Sequence, residues 1–211
     1  IAFAFAASCF RNSPSSSVER LKLLLASIYA HAARIPPTLI YARAQNNNHL
    51  LVEAAGLLTA GALFSDFPAG QKWLHLGWKW FHIAVQTQFS AAGVYVQQSV
   101  NYHRLALQAS AWVFQLSKSL QRSFPQQSTQ KLGQAVLWLA AQLDPFSGRA
   151  PNLGHNDGAY LMPLGGEFTD HRPVIQAASR LFLGSPALPP GPSRDGPPRR
   201  QGRAEGRGSR R

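Results

Sequence analysis

Asn46-Asn47-Asn48-His49-Leu50-Leu51-Val52-Glu53 sets three amides and an imidazole at the mouth of an apolar stretch, with a carboxylate four residues after the histidine. Consecutive asparagines are poor helix formers, because their side chains compete for nearby backbone groups, and the same habit suits them to an N-cap. Leu50, Leu51, Ala54, Ala55, Leu57 and Leu58 then predict a helix to about Phe64. Gly56 and Gly61 within it suggest close approach to a neighbouring helix.

The same pattern recurs on both sides. Upstream, Ser16-Ser17-Val18-Glu19 reads as a capping box, and Val18, Leu21, Leu24, Leu25 and Ile28 predict a helix to about Ala33. Pro36-Pro37 breaks it and opens a short helix through Arg43. Downstream, Ser65-Asp66-Phe67-Pro68 is a stop and a new start, followed by an aromatic-rich helix over Gln71–Phe89. In that helix Trp73, Trp78 and Trp80 read mostly as core. Ala91-Ala92-Gly93 is a turn and Val94-Tyr95-Val96 a short extended piece. A helix opens at Ser99 or Asn101 and closes before Phe124-Pro125; another runs over Ser128–Leu143, and a last one over Arg172–Leu183 with Pro173 in its first turn. The expected fold is all-α, some seven helices in antiparallel hairpins. The Gly/Pro/Asn/Asp loop over Asp144–Thr169 is long for a compact domain, and such loops are often functional.

At 211 residues the chain is long enough for one domain with a sizeable core. Charged residues make up 14%, against a typical ~25%, and the net charge is +12. Residues 1–184 carry +7 of it, so the folded part is moderately basic and fits a polyanionic partner. The single cysteine, Cys9, excludes an internal disulfide and a cysteine-based metal cluster. No run is long and apolar enough for a transmembrane helix. Ile1–Ser8 resembles the end of a signal-peptide apolar region, but no initiator Met or basic segment precedes it, and Ile1–Phe10 is read as the end of a buried helix. From Ser185 onward, six Pro, five Gly and seven Arg in 27 residues cannot form a core. The expected division is a folded part over 1–184 and a disordered basic tail over 185–211. The abrupt change of composition favours a degenerate or out-of-frame tail over a native nucleic-acid or polyanion-binding arm.

Three polar islands interrupt the apolar helices: Asn46–Glu53; Gln97-Gln98-Ser99-Val100-Asn101-Tyr102-His103-Arg104; and Pro151-Asn152-Leu153-Gly154-His155-Asn156-Asp157-Gly158-Ala159. The first two open helices and the third lies in the long loop. His49 and Glu53 share a helix face, so Glu53 is expected to hold the imidazole in one tautomer or raise its pKa. His49-x-x-x-Glu53 supplies at most two metal ligands, so no metal site is expected. No nucleophile elbow and no Gly-rich phosphate loop is present.

The islands, in this order and with Asn48 and Tyr102 54 residues apart, resemble the N-terminal helical domain of the heparinase II/III-type polysaccharide lyases, which include alginate and oligo-alginate lyases. The resemblance rests on Asn47-Asn48-His49-Leu50 with Glu53, on Gly93-Val94 leading to Gln98-Ser99 and Tyr102-His103-Arg104, on the Gly154–Gly158 loop, and on Asp170–Phe182. It covers about residues 13–184. It implies part of an (α/α) toroid and β-elimination at a uronic acid, without a cofactor. The C5 proton leaves, the C4 glycosidic oxygen departs, and a hydrogen-bond donor neutralises the neighbouring carboxylate. By position the resemblance assigns that donor to Asn48, with His49 beside it, and the acid (in some members also the base) to Tyr102. A phenol acting as base needs nearby positive charge to bring its pKa down from ~10, and His103 and Arg104 are the adjacent cations. Glu53, Gln98, His103, Arg104, His155, Asn156 and Asp157 are the expected substrate-binding residues. The implied partner is an acidic polysaccharide, heparin/heparan sulfate-like or alginate-like, and the implied location periplasmic or secreted.

Gln98 departs from the family, whose members usually carry an acid there. The family's C-terminal β-sheet domain, which supplies a further catalytic histidine and one wall of the cleft, has no counterpart before the basic tail. The chain is therefore expected to be a lyase fragment with little activity alone; the alternative is a non-catalytic helical domain that binds acidic glycans.

Overall fold

The computed structural model describes residues 1–163 and 166–189. Among them are eight helices: α1 (Ala2–Phe10), α2 (Val18–Ala33), α3 (Ile35–Gln45), α4 (Asn48–Leu63), α5 (Pro68–Gln88), α6 (Val100–Ser119), α7 (Gln126–Ala141) and α8 (Arg172–Phe182). The all-α expectation holds, and the only strand-like feature among the described residues is an isolated bridge between Phe89 and Tyr95. No single described helix is long and apolar enough to cross a membrane.

Helix boundaries follow local chemistry. Ser17 caps α2 by accepting from the Arg20 amide, one residue later than the capping-box reading placed it. Pro36 and Pro37 fall in the first turn of α3, where a missing N–H is harmless, and only Arg34 separates α3 from α2. Asn46 ends α3 in the left-handed region at φ 42°, a conformation asparagine tolerates, and Asn47 then caps α4.

The centre of the fold is the α4–α5 hairpin, with α6 against α4 and α7 and α8 closing the other side. α4 buries Leu50, Leu51, Ala54, Ala55, Leu57 and Leu58. Its Gly61 is one of three glycines that let the hairpin close, with Gly70 at the turn against the Phe64 carbonyl and Gly77: a Cβ at Gly61 would stand 2.6 Å from the Leu74 amide. At Gly77 on α5 a Cβ would stand 2.7 Å from the Leu58 amide and 2.8 Å from the Ala54 carbonyl. Gly56 faces only Ile35 at an ordinary 3.5 Å, so of the two glycines expected to bring helices together only Gly61 does so.

α1 departs from the expected buried helix. Only Ala4 and Ala7 are buried, whereas Phe3, Phe5 and Phe10 are 50%, 40% and 61% exposed. The basic tail was expected from Ser185, yet residues up to Leu188 lie against α8: the Ala187 amide donates to Ser179 Oγ, and Gln176 bonds both the amide and the carbonyl of Leu188. The rest of the expected tail, 190–211, lies outside the described residues.

Candidate functional site

α4 and α6 both begin at one end of the bundle, and glutamines tie the two starts together. Gln97 Oε1 accepts from the Asn48 amide at 3.0 Å. Gln88, buried at the end of α5, donates to the Asn47 carbonyl at 2.8 Å and accepts from Tyr95 Oη at 2.9 Å. Asn47 Oδ1 caps the His49 amide, and the Asn47 carbonyl takes the Leu50 amide. The backbone donors of the first α4 turn are thus already used. The half-buried Asn48 carboxamide has no partner among the described residues.

The start of α6 is built differently. Ser99 Oγ caps it by accepting from the Tyr102 amide and also donates to the His155 carbonyl at 2.6 Å. The Leu153 carbonyl accepts from the Val100 amide. Gly154 lies against the Gln98 carbonyl and Ser99 at φ 69°, where any side chain would collide with that carbonyl. Gln98 itself has φ 49° and is exposed. These contacts fasten the 151–158 loop over the first turn of α6 and bring Asp157 to Tyr102.

Tyr102 Oη donates to Asp157 Oδ2 at 2.7 Å, while Asn101 Nδ2 reaches Asp157 Oδ1 at 3.4 Å. The bond to Asp157 raises the phenol above its ordinary value, with smaller contributions from desolvation and from the carboxylate charge. The same bond holds the Asp157 carboxyl below its ordinary value, helped by the Ala159 amide. Tyr102 therefore keeps its proton at neutral pH and donates it to the Asp157 carboxylate in a hydrogen bond.

The cations expected to lower the Tyr102 pKa point elsewhere, because neighbours on a helix are rotated ~100° from one another. His103 is fully buried, bonds the Ala135 carbonyl at 2.9 Å and stacks on Trp138 at 4.8 Å. Burial pushes it down to about 4, so it is neutral and has no surface to offer a substrate. Arg104 is buried as well, bonded to the Phe168 carbonyl and to Asn101 Oδ1. Nor does the expected His49–Glu53 pair form: Glu53 Oε2 accepts from Thr38 Oγ1 at 3.0 Å, and the one ion pair among the described residues is Arg172–Asp170. His49 is exposed on the first turn of α4 beside Asn48. Asn156 bonds Asn152 within the loop, and His155 is held by its carbonyl with an exposed ring. The structure thus brings Tyr102 and Asp157 into contact and sets Asn48 and His49 at the same end, while His103 and Glu53 are engaged elsewhere. Sequence reading gave Ser99 or Asn101 only as a helix start and left Gln97 without a role; the bonds they make to the loop and to Asn48 had no signal beyond their place inside the second island.

Residues 3–156 match the family model described as the heparinase II/III N-terminus. The chain belongs to the heparinase II/III family. The match spans both helix starts and reaches the loop through Asn156, so the elements that position Asn48 and Tyr102 are the family's own. No curated protein and no solved structure matches the chain. Membership of the heparinase II/III family makes the chain a polysaccharide-lyase-related domain.

Proposed function

We propose that this domain takes part in β-elimination of uronic-acid-containing glycans, with Tyr102 as the acid and Asn48 as the neutralising donor. Electrons from the breaking C5–H bond form the C4–C5 double bond as the C4–oxygen bond breaks, and the departing oxygen takes the Tyr102 proton. The resemblance expects a further catalytic histidine in the family's β-sheet domain, and as acceptor of the C5 proton it completes the balance. The Asn48 carboxamide, with His49 as a second donor, bonds the uronate carboxylate and favours the enolate-like intermediate. The observation that carries this reading is the Tyr102–Asp157 bond, which keeps the phenol protonated at an exposed edge of the fold. Asp157 positions the hydroxyl. An extracellular or periplasmic setting, typical of the family, is where such a substrate is met.

The test is formation of unsaturated uronate product, followed by ultraviolet absorbance, with heparan sulfate, alginate and other uronate polymers offered to the longest natural form of the protein. Tyr102→Phe is expected to lower kcat at least ~100-fold with KM little changed, as for loss of a positioned proton donor. Asn48→Ala is expected to lower kcat by a similar factor. Glycan binding without product, unaffected by Tyr102→Phe, would instead establish the second reading, a helical domain that only binds acidic glycans.

A further inference from the structure

A cavity of about 380 Å³ adjoins the 151–158 loop, and Asn101, which reaches Asp157, is part of its wall. Its walls are the start of α6, residues 149–152 and 156, and Phe168, Thr169 and His171. The walls are fixed to one another: the His171 amide donates to the Gly148 carbonyl at 2.8 Å, and Arg104 reaches across to the Phe168 carbonyl.

The charge in this cavity is unbalanced. Arg104 is 1% exposed and His171 7% exposed, and both line it. Arg104 lies over the Phe168 ring at 4.1 Å and the Tyr160 ring at 4.5 Å, and bonds one carbonyl and one amide oxygen. Its Nε has no partner among the described residues, and neither has His171 Nδ1. Arg149 adds a second, exposed guanidinium at the mouth, and Asn101, Asn152 and Asn156 add amides. No carboxylate lines the wall. Asp157 is committed to Tyr102 and the Ala159 amide and Asp170 to Arg172, while Glu167 lies with Asp170 and Arg149 on the adjoining surface pocket, outside this wall. A buried guanidinium without a counter-charge is costly, and an orphaned buried donor adds to that cost. A planar or tetrahedral oxyanion answers both, since it accepts from a guanidinium fork and from neighbouring amides.

We propose that this cavity receives one oxyanion group, a carboxylate or a sulfate, held by Arg104, Arg149 and His171. Resting on the lyase reading, the group belongs to a sugar next to the one at Tyr102, and the cavity makes the domain prefer glycans with acidic groups on successive residues.

His171 reports on the cavity. Burial first, then the Arg104 charge, push it down to about 4, while Asp170 acts in the opposite direction. Its neighbours on other elements are Arg104 on α6 and the neutral His103. An anion seated beside it raises its pKa toward the ordinary ~6.5. The experiment is an NMR pH titration of the His171 ring in the full chain, assigned with His171→Gln, in four arms: sodium sulfate, a sulfated heparin tetrasaccharide, an alginate tetrasaccharide, and a neutral tetrasaccharide. A rise with any acidic arm and none with the neutral one supports the site; the arms separate a free anion from a glycan-borne one. Arg149→Ala, at the exposed mouth, is expected to weaken that binding roughly tenfold and leave the fold intact. Arg104→Met is expected to abolish it, with circular dichroism showing whether that variant still folds. A His171 titration unchanged in every acidic arm, or equal affinity for Arg149→Ala and the parent, overturns the proposal. Tyr102→Phe is expected to leave the His171 response in place, and a parent protein that shows this response but forms no unsaturated product from any uronate polymer would sink the lyase reading and not the anion site.

Discussion

At Tyr102 one hydrogen bond sets the chemistry. Raising the phenol pKa and lowering the Asp157 pKa are the same interaction seen from its two ends. For the phenol, the folded value lies above the unfolded one, so its contribution is complete below the ordinary value of 10.0 and is lost as pH rises through the raised value. For the carboxyl the folded value is depressed, so its contribution is present above 3.8 and is lost as pH falls through the lowered value. The bond therefore spans neutral pH. Asp157→Asn is expected to bring the Tyr102 titration down toward 10.0, read as phenolate absorbance against a Tyr102→Phe background. An unchanged titration would mean that the bond does not form in solution. The pair was only half legible in the sequence. Tyr102 stood out by its place in the second island, but Asp157 is 55 positions away, and nothing local says that the loop folds back. His103 and Arg104 misled for the complementary reason: sequence neighbours on a helix share no direction.

At the scale of the elements, the domain depends on two kinds of glycine. Gly77 lets α5 approach the α4 backbone between Ala54 and Leu58, and a methyl there forces the helices apart. Gly77→Ala is expected to cost about 1–3 kcal/mol of global stability, seen as a lower midpoint in urea. Gly154 instead holds the loop on α6 in a conformation that favours glycine. Gly154→Ala is expected to cost a similar ~1–3 kcal/mol locally. Its distinguishing signs are a Tyr102 titration released toward the ordinary value and faster amide exchange over 151–158, with α4 and α5 protected as before. Uniform loss of protection in both variants would contradict this division between hairpin and loop. Of these glycines, Gly154 was visible within an island, whereas Gly77 sits among tryptophans and lysines and its contact appears only once two helices are placed side by side.

At the scale of the whole molecule, burial makes three histidines neutral. His82, His103 and His171 are each pushed down to about 4, with desolvation the largest cause in every case. The unfolded chain binds these protons near 6.5, so it gains protons over the folded form as pH falls through that window. Their contribution is complete above about 6.5 and declines down to about 4. The melting temperature is expected to fall steadily across that interval and to level off more gently below it. His82→Gln, on a half-buried ring bonded to Ser128 Oγ, should flatten part of that slope. A melting temperature flat from pH 7 to 4 would show that these rings are solvated in solution.

The sequence by itself determined the helices, most of their ends and the family. Each depends on interactions within a turn or two: apolar spacing, a capping Ser17, Asn47 or Ser99, and Pro36-Pro37 at a helix start. The three polar islands were legible for the same reason, since polar runs at helix starts break an apolar pattern. Tertiary structure alone decided which polar groups meet. Asp157 reaches Tyr102, Gln97 reaches Asn48, Glu53 turns to Thr38 instead of His49, and Arg104 enters a cavity with His171. Each of these depends on helix phase and on where a loop returns across fifteen or more positions. Hydrogen-bonding capacity is a property of the residue, but its partner is set by the packing of the helices that carry it.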